Sequence, residues 1–127
     1  MFYYYVKYKN NTTVEEISEI IKDKLLEIYN ISIEAKLIPV IITESLNAAS
    51  LSNINIPEMS VDDAECICDY VYNILKERYN IKLVDMKIVA MVMVILLRES
   101  INNENIEVLQ YKDIPTHISV GNKNYLN

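Results

Sequence analysis

Acidic side chains are the residues of this chain whose spacing comes nearest to chemistry. Glu15, Glu16, Glu19 and Asp23 recur at helical intervals near the start, and Glu58, Asp62, Asp63, Glu65 and Asp69 cluster around residue 60. Glu15 with Glu19, and Glu65 with Asp69, are i,i+4 pairs that share one face of a helix. Facing pairs of this kind on two helices could hold Mg²⁺ against a phosphate-containing substrate, so a metal-dependent hydrolase is one reading of the chain. Glu16 and Glu19, however, have no second motif at a fitting distance. Acidic residues in a first helical turn also have a simpler use, which is to favour the positive end of the helix dipole.

Other chemistries find less support. The sole histidine, His117, stands beside no serine or cysteine that it could activate. The sole glycine is Gly121, so no glycine-rich loop can cradle a phosphate. Cys66 and Cys68 point about 200° apart on a helix, too divergent to share a metal or bridge easily. Both are expected to pack as small buried hydrophobes. No catalytic, cofactor-binding or metal-ligating residue is assigned, and no cofactor is expected.

The net charge of -6 argues against a nucleic-acid surface, where a basic stripe is the usual footprint. Nor does the later helix of either pair offer the polar and basic side chains that reading a groove requires. The opening "MFYYYVKYKN" lacks the charged start and apolar core of a signal peptide. The longest apolar run, Ile88 to Leu97, holds ten residues, whereas a membrane-spanning helix needs about twenty. A cytoplasmic protein without a membrane partner is the expectation. Usage rich in Ile, Asn and Tyr, with one Gly and no Trp, is the mark of an AT-rich genome and fits a phage, viral or mobile-element accessory protein.

The elements that must position these residues follow from local patterning. Phe2, Tyr4, Val6 and Tyr8 alternate with Tyr3, Tyr5, Lys7 and Lys9, which predicts a strand over 1–9. Thr13 with Glu16, and Ser60 with Asp63, have the spacing of capping boxes and predict two helix starts. After each helix comes Tyr-Asn-Ile, at 29–31 and again at 79–81. Asn tolerates the left-handed conformation that ends a helix, and the following Ile can clasp back onto it. Each stop leads to a more apolar helix. The first contains Pro39, which forces a kink or a fresh start; the second carries "IVAMVMVILL", apolar all round and so expected at the centre. The caps lie 47 residues apart and the tripeptides 50, so the two halves share a grammar but require a gap to align.

These elements predict one α+β domain, mainly α, over 1–127. It would comprise helical hairpins over 13–50 and 60–101, with a central apolar helix near 84–100. A small antiparallel sheet would join the strand over 1–9 to strands in 105–127, including "NIEVLQY", "THISV" and a hairpin turn at Gly121-Asn122. The function expected is non-enzymatic: binding a protein partner, or a second copy of the chain. Glu58, Asp62, Glu65 and Asp69 form the candidate acidic contact for a basic partner. Tyr3 and Tyr5 are the candidate self-association residues, since a strand edge bearing aromatic rings invites pairing.

Overall fold

The computed structural model describes residues 2–102 and 104–112, in which four α-helices are bracketed by two strands. Strand β1 (Phe2–Tyr8) leads to α1 (Val14–Tyr29) and α2 (Ile38–Leu51), followed by α3 (Val61–Arg78), α4 (Lys87–Asn102) and β2 (Ile106–Lys112). The strands pair antiparallel, Phe2 opposite Lys112 and Tyr8 opposite Ile106. Both ends of the described chain therefore meet in the expected small sheet. "THISV", His117 and the Gly121-Asn122 turn lie outside the described residues.

The helix starts are the ones the capping boxes predict. Thr13 Oγ1 accepts from the Glu16 N–H at 3.1 Å, and Glu16 Oε1 accepts from the Thr13 N–H at 2.9 Å. Ser60 and Asp63 make the same reciprocal pair at 3.1 and 3.2 Å. Two of the orphan N–H groups of each helix are satisfied in this way. Pro39 resolves to a fresh start: it sits in the first turn of α2, where no intrahelical N–H is required of it.

The repeated Tyr-Asn-Ile is a stop signal. Asn30 and Asn80 both have φ 57°, the left-handed region. The Ile31 N–H then donates to the Leu25 carbonyl at 3.2 Å, and the Ile81 N–H to the Leu75 carbonyl at 2.8 Å. These six-residue closures are Schellman bonds, and Ile31 and Ile81 fold back against the core. Among the described residues, all five non-glycine positions with positive φ are asparagines. In a chain with a single glycine, Asn does the work that glycine usually does at turns.

The halves correspond at an offset of 50 without any gap. Ile17 and Ile67, Ile21 and Val71, Leu25 and Leu75, Ile38 and Ile88, and Leu46 and Leu96 are buried pair by pair. The discrepancy of three residues in the caps is an extension, because α3 starts earlier in this register than α1 does. Packing follows the same exchange: α1 lies against α4 as α3 lies against α2, while α2 and α4 meet each other. A two-fold relation between the halves generates this pattern of partners. β1 packs on α2, and β2 on α4.

Three expectations need correction. The α4 helix starts at Lys87, where the Asp85 side chain accepts from the backbone N–H at 2.8 Å, so Val84 and Met86 lie in the loop before it. That helix is also not buried all round: Ile95 is 1% exposed, but Val94 is 38% and Ile101 82%. An apolar run has no polar face to declare which side meets solvent, and here only one side of α4 lacks a neighbour among the described elements. Finally, Cys68 is buried as expected but Cys66 is exposed, since positions two apart on α3 fall on different sides of the helix.

Candidate functional site

The four acidic residues singled out from sequence are all exposed. Asp62, Glu65 and Asp69 stand at i, i+3 and i+7 on α3 and so form one stripe. Glu58 belongs to the short turn Ile56–Glu58 before it, and its Oε1 accepts from Asn55 Nδ2 at 3.2 Å. Among the described residues none of the four makes an ion pair. The carboxylates of α1 are not brought opposite them, because α1 packs on α4 and α2 whereas α3 packs on α2 and α4. Among the described residues, no three His, Cys, Asp or Glu side chains come close enough together to hold a metal ion.

What the acidic stripe does border is an apolar groove between α3 and α4. Ile67 and Cys68 form one wall and Val89, Met93, Val94 and Leu97 the other, with Met59 at one end, around a cavity of about 90 Å³. Leu97 also lines an adjoining cavity of about 430 Å³ with Pro57, Ile101 and Val108. Of the α4 residues on these two cavities, Val94 and Ile101 are exposed, Leu97 is half-buried, and Val89 and Met93 are buried. Burial pushes the Cys68 thiol up from its ordinary pKa, and the charges of Asp69, Glu65 and Asp85 push it further, against a hydrogen bond with the Ala90 backbone. These three carboxylates thus lie within electrostatic reach of a residue that lines the groove.

The matching positions of the first half line a larger cavity, of about 270 Å³, beside β1. Val14, Pro39, Thr43 and Asn47 stand 50 residues before Ala64, Val89, Met93 and Leu97, and they share their cavity with Tyr4, Val6 and Tyr8 of β1. β2 does not repeat this on α4. It reaches the last turns of that helix, where the Val108 N–H donates to Ser100 Oγ at 3.0 Å, and leaves Val94 exposed.

Tyr3 and Tyr5 occupy the outer face of β1, Tyr5 opposite Leu109 of β2 and 38% exposed. Both are engaged in contacts. Tyr4, on the inner face, is the anchor of the sheet. Its hydroxyl donates to the Ile54 carbonyl at 2.8 Å and accepts from the Ile56 N–H at 2.9 Å and from Gln110 Nε2 at 3.0 Å.

One functional candidate is absent from the sequence-based set. Glu44, midway along α2, is 4% exposed, and Tyr79 Oη donates to its Oε2 at 2.7 Å. That bond, foremost, raises the Tyr79 pKa. The signal was there in the spacing: Ile41 and Ala48, at i−3 and i+4 from Glu44, are both buried, so a carboxylate between them shares their face.

Among the described residues no helix is long and apolar enough to cross a membrane. Compared with protein-family models, with curated proteins and with solved structures, the chain finds no match, so what it does has to be derived from its own grooves and charges.

Proposed function

We propose that this protein is a non-enzymatic binding domain that holds a basic amphipathic helix of a partner protein in the α3–α4 groove. The observation that carries this reading is an apolar groove with acidic neighbours and the exposed Val94 at its edge, whereas the matching positions of the first half face the chain's own strand β1. From Val94 to Ile101 the accessible apolar edge of α4 runs about 10 Å at 1.5 Å per residue, the length of two helical turns. A helix laid into such a groove anchors through residues at i, i+3 or i+4, and i+7. Met59 and Met93 adapt to irregular anchors. Basic residues on the partner's flank would meet Asp62, Glu65 and Asp69, with Glu58 near the end of the groove. Arg98 lies on the exposed side of α4, beside Val94 and Leu97, so the opposite flank of the partner would carry an acid.

The probe is a synthetic amphipathic helix of about four turns, with Leu along one face and Lys along one flank. It should bind saturably, and Val94→Glu should weaken it by about tenfold or more, as expected where a central apolar contact is lost. Asp62→Lys with Glu65→Lys should slow association at low salt and matter less at high salt, since exposed charge acts chiefly on encounter. Equal binding by wild type and Val94→Glu, with both variants folded, ends the proposal. Mg²⁺ should leave the melting temperature unchanged; a rise would favour metal chemistry at the carboxylates instead.

Self-association is the second reading, supported by the aromatic outer face of β1, with Tyr3, Tyr5 and Leu109 on one side of a two-stranded sheet. Sedimentation of the wild type as a monomer at high micromolar concentration would end it, as would an unchanged profile for the Tyr3→Lys, Tyr5→Lys double variant. The AT-rich residue usage supports an accessory role for a phage, virus or mobile element, exercised in the cytoplasm of a host cell.

A further inference from the structure

On the other side of α3, where it packs on α2, lies a cavity of about 320 Å³. Its walls include Tyr3 and Tyr4 from β1, Glu44 and Asn47 from α2, and Tyr70 and Arg78 from α3. Glu44 is buried, and of its two carboxylate oxygens only Oε2 has a hydrogen-bond partner among the described residues, the Tyr79 hydroxyl. Burying a carboxylate is costly unless its remaining lone pairs are met by donors or by an opposite charge. The nearest cation on the cavity wall, Arg78, is exposed and makes no ion pair with Glu44.

We propose that this cavity binds a small primary ammonium group, with Glu44 Oε1 as its principal acceptor. Carboxylate and ammonium form a charge-assisted hydrogen bond, the strong kind, here on a carboxylate that is itself buried. Tyr3, Tyr4 and Tyr70 supply aromatic walls, which attract cations through the ring quadrupole. The Asn47 side chain, three residues after Glu44 on the same face of α2, adds a carbonyl acceptor at the rim. A primary ammonium is preferred over a quaternary one because Oε1 lacks a donor, and only an N–H can supply it. An anion is disfavoured by the buried carboxylate itself. The volume is at the small end of ligand sites and suits an alkylamine or the end of a lysine side chain. This site is separate from the α3–α4 groove and stands or falls independently of it.

The test is an NMR-monitored titration of the folded wild-type protein with n-butylammonium chloride, with n-butanol and tetramethylammonium as controls. Saturable shifts at Glu44 and Tyr79 with butylammonium, and not with butanol, are expected. Glu44→Gln, nearly isosteric, should weaken binding at least tenfold. Asn47→Leu narrows the rim without touching the buried carboxylate and should also weaken it, so the proposal stays testable if the Gln variant unfolds. Arg78→Ala should tighten amine binding by removing a repelling charge, whereas weaker binding in that variant would mark an anion site and overturn the assignment. Equal response to butanol, tighter binding of tetramethylammonium than of butylammonium, or unchanged affinity in Glu44→Gln would do the same. Binding of N-acetyl-lysine methylamide as tight as butylammonium would identify a lysine presented by a protein as the source, and butylammonium binding alone a free amine; the ammonium site holds in both cases.

Discussion

The α1–α2 and α3–α4 halves share most of their buried positions and end their first helices with the same turn, yet they face the outside differently. Across α2 lies β1, with Tyr4, Val6 and Tyr8 packed on the core. Across the corresponding part of α4 no described strand packs, and Val94 is left 38% exposed. Residue types follow this division. Thr43, Asn47 and Leu51 of α2 match Met93, Leu97 and Ile101 of α4, and the buried Glu44 matches the exposed Val94. A shared inward face therefore fixes how two helical pairs associate, while the outward face is free to diverge into one covered side and one open, apolar side.

The largest effect should come from testing the shared inward face. Leu25→Ala and Leu75→Ala each empty a fully packed site and should each cost about 2–5 kcal/mol in denaturant unfolding. Similar costs would support equivalent halves. A cost near zero for one of them would break the correspondence.

Next comes the cover of the first half. Tyr4→Phe removes a hydroxyl that serves the Ile54 carbonyl, the Ile56 N–H and Gln110. Leaving such groups unmet costs about 1–3 kcal/mol where they are shielded from water. Among the described residues β2 is tied to α4 by the Val108 N–H on Ser100 Oγ, so an unaltered melting temperature after Tyr4→Phe would mean that β1 contributes no more there than β2 does.

The capping boxes should weigh equally in both halves. Thr13→Ala and Ser60→Ala should each lower stability by about 1 kcal/mol. A clear inequality would show that the longer N-terminus of α3 changes what its cap is worth.

The smallest effect is the sharpest for the open face. Val94→Ser should change stability by less than about 0.5 kcal/mol, as expected of a surface position, although it sits in the most apolar run of the chain. A cost as large as that of a core truncation would mean that this face is covered, and that the difference between the halves is illusory.

The sequence by itself determined the starts and ends of α1 and α3 and the sheet partner. Helix ends are settled within a few residues: a hydroxyl and a carboxylate three positions apart satisfy the first N–H groups, and an Asn in the left-handed region satisfies the last carbonyls. Alternation in β1 likewise fixed its inner and outer faces. Tertiary structure alone decided which side of α4 meets solvent, because an all-apolar helix carries no periodicity to aim it. It also decided that Cys66 is exposed, and that the acidic stripe borders a groove. The burial of Glu44 belongs here too. It depends on Tyr79, 35 residues on, closing over α2 through a hydrogen bond, and contacts at that separation are set by how the helices pack rather than by any local preference of the chain.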